Sequence, residues 1–86
     1  MYVILVYDVN QKRTGKMLKL CRRYLHWIQN SVLEGEITAS KLSELRQAAS
    51  QIMKEEDSLI IFKSPDGKWL KKEVTGKEKS PLDSII

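Results

Sequence analysis

The chain has 86 residues, 42% hydrophobic and 30% charged, with a formal net charge of +4 and a pI near 9.3. That length makes one domain, and the apolar fraction argues against wholesale disorder. One cysteine rules out an internal disulfide, and one cysteine with one histidine argues against a structural zinc site, which usually takes four such ligands.

A chain this small buries only about 60–65% of its unfolded surface, so association with a partner would add stability. No segment approaches the roughly 20 apolar residues of a membrane helix. The first apolar run has no basic leader and ends in an acid, so no signal peptide is expected and the protein is expected to be cytoplasmic.

The opening run "YVILVYDV", Tyr2 to Val9, has the β-branched and aromatic content of a strand buried on both faces. Tyr2, Ile4, Val6 and Asp8 share one face; Val3, Leu5, Tyr7 and Val9 share the other. Apolar residues on both faces place this strand centrally and put the carboxylate of Asp8 at its end. Asp8 reads equally as a turn-starting residue, since Asp hydrogen-bonds its own backbone in turns.

After the connection "NQKRTG", helical spacing predicts a helix from about Arg13 to Leu25. Met17, Leu20, Cys21, Tyr24 and Leu25 gather on one side. Lys12, Lys16, Lys19 and Arg23 form a narrow stripe opposite them. No acid occurs between Asp8 and Glu34, so nothing local offsets the stripe's self-repulsion. A localised basic field of this kind points to a polyanion, and the stripe is read as phosphate-facing. Cys21 is read as a small core residue. His26 is read as a packed residue at the helix end rather than a general base.

A bend or two short strands are expected within Ile28 to Ile37, interrupted at Asn30 and Ser31. Thr38 should cap a second helix running to about Lys54, with Ile37 and Leu42 as a hydrophobic staple. Leu42, Leu45, Ala49 and Ile52 repeat at helical spacing on its core side. Ser58 to Lys63 reads as a second central strand. "SPDG" reads as a turn and "KWLKKEV" as a lysine-guarded edge strand that Gly76 ends. Residues 1–76 are the expected domain. The tail 77–86, ending Ile85-Ile86, is expected to engage a partner subunit or another protein.

The order is β-α-β(β)-α-β with an additional C-terminal strand. The expected class is α+β, a ferredoxin-like sandwich with both helices on one sheet face. The other face would then be apolar and uncovered, so a homodimer through that face is expected. Base-stacking RNA modules of this fold display aromatics on their open sheet, whereas these central strands carry mainly Ile, Leu and Val.

Taken together, "YVILVYDV" with Asp8, the basic segment Lys12 to Arg23, "IQNSVLEGEIT", "EEDSLIIF" and the late Gly76 resemble the CRISPR-associated protein 2 family over essentially the whole length. The resemblance implies a homodimer that binds double-stranded DNA and supports the CRISPR-associated protein 1 integrase in acquiring new spacers. It also implies metal-dependent endonuclease activity on RNA or double-stranded DNA, with Asp8 as the catalytic and metal residue, paired with its dimer mate around magnesium or another divalent cation. Lys12, Arg13 and Lys16 match the family's basic residues early in the first helix. Tyr7 and Ser31 are secondary candidates. Leu33 stands where the family frequently has Phe, and Trp27 where it often has Arg. Magnesium takes oxygen ligands and often needs only one or two carboxylates plus substrate phosphate, a minimum that two Asp8 side chains meet. Glu34 is the nearest candidate base by motif, but it is read as a structural residue exposed on its strand. The alternative reading is a stand-alone metal-dependent toxin-type ribonuclease of similar fold.

Overall fold

A computed structural model of the protein describes residues 1–64 and 71–77. Five strands form an antiparallel sheet: β1 (Tyr2–Asp8), β2 (His26–Gln29), β3 (Val32–Glu36), β4 (Ser58–Ser64) and β5 (Lys71–Gly76). Their spatial order is β2-β3-β1-β4-β5. Two helices, α1 (Thr14–Cys21) and α2 (Ala39–Ile52), complete this α+β, ferredoxin-like arrangement. β1 is central, as its two-sided apolarity requires, hydrogen-bonded to β3 on one side and β4 on the other.

The pleat sorts β1 cleanly. Val3, Leu5 and Tyr7 are buried with Met17, Leu20 and Cys21 of α1 and Leu42, Leu45 and Ala49 of α2. Leu33 of β3 and Leu59 and Ile61 of β4 join the same cluster. Both helices therefore lie on one sheet face, joined in one hydrophobic core. Burial of each such side chain contributes about 1.5–3 kcal/mol. Cys21 is buried here, and burial pushes its thiol up to about 12, so it behaves as a small apolar residue.

α1 is shorter than its sequence spacing predicts. A 3₁₀ turn, Gln11–Arg13, precedes it, capped by the Asn10 side chain, which accepts from the Lys12 amide. The helix stops at Cys21 and the chain tightens: Arg23 N donates to Leu20 O, and Tyr24 and Leu25 N both donate to Cys21 O. The reversal lets β2 begin at His26, which is an exposed strand residue and not a packed helix end. Leu25 stays buried, so its apolar spacing is real although it lies beyond the helix.

α2 matches its signals. The Thr38 side chain accepts from the Lys41 amide, and Ile37 and Leu42 are both buried in the core. The expected interruption between Ile28 and Ile37 is a hairpin turn at Asn30, whose φ is 42°, with a register shift between Trp27 and Gln29. Gly76 has φ 100°, and a Cβ there would overlap the Asp57 carbonyl oxygen, so β5 closes against the start of β4 only with glycine. The "SPDG" turn beyond Ser64, the start of "KWLKKEV" at 68–70 and the tail from 78 onward fall outside the described residues.

Candidate nucleic-acid interface and strand-end carboxylate

Asp8 is the last residue of β1, exposed, and in register with Ser58 at the start of β4. Alternation puts it on the helix-free face with Ile4 and Val6. Ile60 and Phe62 of β4 and Val74 of β5 share that face by register, and all five apolar side chains are only half-buried. Tyr2 and Glu34 also meet there, the phenol donating to the carboxylate. That bond raises the Tyr2 hydroxyl pKa and engages Glu34 on the sheet surface.

Among the described residues no group of three His, Cys, Asp or Glu side chains could hold a metal ion. Asp57, which precedes the residue in register with Asp8, is already committed. It is fully buried and accepts from Arg13 Nε at 2.7 Å and Nη2 at 3.1 Å, and from the amides of Asn10 and Lys54, each at 2.9 Å. Chiefly through the Arg13 guanidinium, its carboxyl is held down at about 2. Among its described residues one chain thus offers a divalent ion a single strand-end carboxylate. The donor set fits magnesium only when a second Asp8 or substrate phosphate completes it.

Arg13 corrects an expectation. It matches the family's early basic residues, but its side chain is only 17% exposed and is spanned by Asp57 and Glu56. Its guanidinium is a strut between the β1–α1 connection and the approach to β4, and its geometry leaves little for a phosphate. Lys12, Lys16, Lys19 and Arg23 are exposed, with no acidic group in ion-pair range among the described residues. The stripe runs from the 3₁₀ turn through α1 and into the turn after it.

The two secondary candidates are separated from Asp8. Tyr7 points to the helix side, is 4% exposed, and burial raises its hydroxyl pKa. Ser31 lends its carbonyl to the Tyr7 amide at 3.1 Å. Both line a surface hollow of about 390 Å³ with Thr14, Gly15, Leu18 and Asn30, on the far side of the sheet from the carboxylate.

The family model for CRISPR associated protein Cas2 matches residues 1–72. The chain belongs to the Cas2 family. It is 47% identical to the CRISPR-associated endoribonuclease Cas2 of Dictyoglomus turgidum, over 100% of both chains. It is 45% identical to the protein of the same name from Methanocaldococcus jannaschii, covering 100% of this chain and 76% of that one. A solved structure described as the crystal structure of cas2 superposes with a TM-score of 0.75 at 45% identity, covering 100% of this chain and 98% of the other. Streptococcus pyogenes Cas2 at pH 6.5 gives a TM-score of 0.70 at 31% identity, over 78% and 89% of the two chains. The Cas2 resemblance and the ferredoxin-like fold read from sequence therefore hold. Sequence reasoning missed two features of this Cas2-family chain: the Arg13–Asp57 strut, and an indole, Trp27, that the fold leaves half open at an edge.

Proposed function

We propose that this Cas2-family chain works as a homodimer joined through the helix-free sheet face. The dimer binds double-stranded DNA by its basic stripes, supports the CRISPR-associated protein 1 integrase in acquiring spacers, and cleaves phosphodiester bonds in RNA or duplex DNA with magnesium. The observation that carries the reading is the face itself: Ile4, Val6, Ile60, Phe62 and Val74 lie half-buried on a sheet surface that no described helix covers, with Asp8 at its end. A second copy of the same patch would bury those side chains and bring two Asp8 carboxylates towards one another.

Two carboxylates held close repel, and a cation between them removes that cost. Magnesium, when bound, would supply electrophilic polarisation of a phosphoryl oxygen and a more acidic bound water. The chain's own part is to hold Asp8 at the sheet end, fixed by the β1–β4 ladder, and to lay the sugar–phosphate backbone along Lys12, Lys16, Lys19 and Arg23. Those side chains bear on phosphates and carry no base readout, so the preference for a sequence is weak.

Replacing Asp8 separates the two activities. Asp8→Asn is expected to abolish magnesium-dependent cleavage of RNA and duplex DNA, to leave the dimer at least as stable, and to leave integrase-dependent spacer insertion intact. Cleavage by Asp8→Asn at the wild-type rate would remove Asp8 from the reaction.

A further inference from the structure

β2 is an edge strand on which all four residues are exposed, and it carries Trp27 and Ile28, each 48% exposed. Trp27 is in register with Leu33, whose side chain is buried beneath the helices. The indole therefore stands on the helix side of the sheet, away from the face proposed for dimerisation. Two interactions fix it there. Its Nε1–H donates to the Asn30 carbonyl at 2.9 Å, and the Arg22 guanidinium carbon sits 5.5 Å from the ring centroid. A large apolar ring is thus oriented, with the Arg22 guanidinium over it and about half of the residue's surface open.

Its surroundings are basic. Arg22 also lines a hollow of about 420 Å³ with Gly15, Leu18, Lys19 and Arg23. Gly15 adds no bulk to it and is itself exposed, since a Cβ there would meet nothing within 4 Å. Lys19 and Arg23, two members of the exposed stripe, flank the same hollow. Trp27 does not line this hollow; Arg22 links the two, lying over the indole and lining the hollow with Lys19 and Arg23, and an aromatic ring so joined to cationic side chains fits a ligand that is itself flat and anionic.

We infer that Trp27, with Arg22 and Lys19, is a stacking site for an unpaired nucleotide of single-stranded DNA or RNA, such as the frayed or overhanging end of a duplex. In an intact duplex the bases are stacked on each other, so an edge-strand indole can stack only on a base outside the helix. An apolar protein partner would match Trp27 and Ile28 but would leave Arg22, Lys19 and Arg23 facing a surface that does not answer their charge. The inference rests on the proposed function only in taking nucleic acid as the ligand; it uses neither Asp8 nor the dimer face.

The sequence contains two tryptophans, so the Trp69→Phe chain reports Trp27 fluorescence alone. Titrating it with a short single-stranded oligodeoxynucleotide, and with the blunt duplex of the same sequence, reads the site directly. The single strand is expected to quench Trp27 and the blunt duplex to bind with little quenching. Trp27→Ala should weaken single-strand binding by roughly fivefold to a hundredfold, the range that stacking of one base provides, with duplex affinity unchanged. Trp27→Phe should recover most of the loss, and Arg22→Ala should lose part of it with the indole in place. Equal quenching by single strand and duplex, unchanged single-strand affinity in Trp27→Ala, or an effect of that variant on sedimentation alone would overturn the inference, the last by making Trp27 a protein contact. Single-strand quenching without duplex binding would uphold the stacking site while contradicting the proposed duplex-binding function.

Discussion

Asp57 is the residue on which the loop beside Asp8 depends. Its carboxylate joins Asn10 and Arg13 of the β1–α1 connection to Lys54 of the α2–β4 connection, two segments that meet at one end of the sheet. Arg13→Ala would leave that carboxylate buried with only backbone donors, a loss of about 3 kcal/mol. Urea unfolding of Arg13→Ala should show that drop, and an unchanged midpoint would mean that the strut is ornamental. The same pair sets an acid limit. The folded carboxyl sits at about 2 against an ordinary 3.8, so its stabilisation is complete above pH 3.8 and is lost as pH falls through about 2. Acid unfolding followed by circular dichroism should show this step in the wild type and not in Asp57→Asn. None of this was legible in sequence, because Arg13 and Asp57 lie 44 residues apart and only the folded chain makes them neighbours.

The basic stripe spans the 3₁₀ turn, α1 and the turn after it, and is tested as one unit. Replacing Lys12, Lys16, Lys19 and Arg23 together by Ala should weaken duplex binding alike for all sequences. Every phosphate that the variant no longer neutralises should flatten the log–log salt slope by about 0.9. An unchanged slope would make these side chains an ordinary solvated face. Arg13 is left out of this set because its guanidinium is held by Asp57 and Glu56. The elements themselves were unevenly readable. α2 announces itself through Thr38 and through apolar residues at helical spacing, and the structure keeps both its start and its core face. The end of α1 has no such signal: no Gly or Pro follows Cys21, and Tyr24 and Leu25 continue the apolar spacing while already in the turn. Two short strands are among the readings from Ile28 onward, but the start of β2 at His26 is hidden for a related reason, since a short exposed edge strand of HWIQ has neither a buried face nor an alternating pattern to show where it begins. Trp27, standing on that strand, could be noticed as an unusual residue but not as an exposed one.

At the scale of the molecule, the sequence pattern and the structure agree on the feature that matters most for function. Two-sided apolarity in Tyr2–Asp8 and Ser58–Ser64 marks them as central strands, and the helices cover only the side holding Val3, Leu5, Tyr7, Leu59 and Ile61. Among the described residues no helix covers the side holding Ile4, Val6, Ile60 and Phe62. The second copy proposed above would cover it, and would also pair the strand-end carboxylates and double the basic stripe about one axis. Sedimentation velocity at micromolar concentration tests this directly, comparing the wild type with Phe62→Glu, which places a charge in the middle of the face. The wild type should sediment at about twice the 10.0 kDa chain mass and Phe62→Glu as a folded monomer. A wild type that sediments as a monomer, or a Phe62→Glu chain that stays dimeric, would contradict the account.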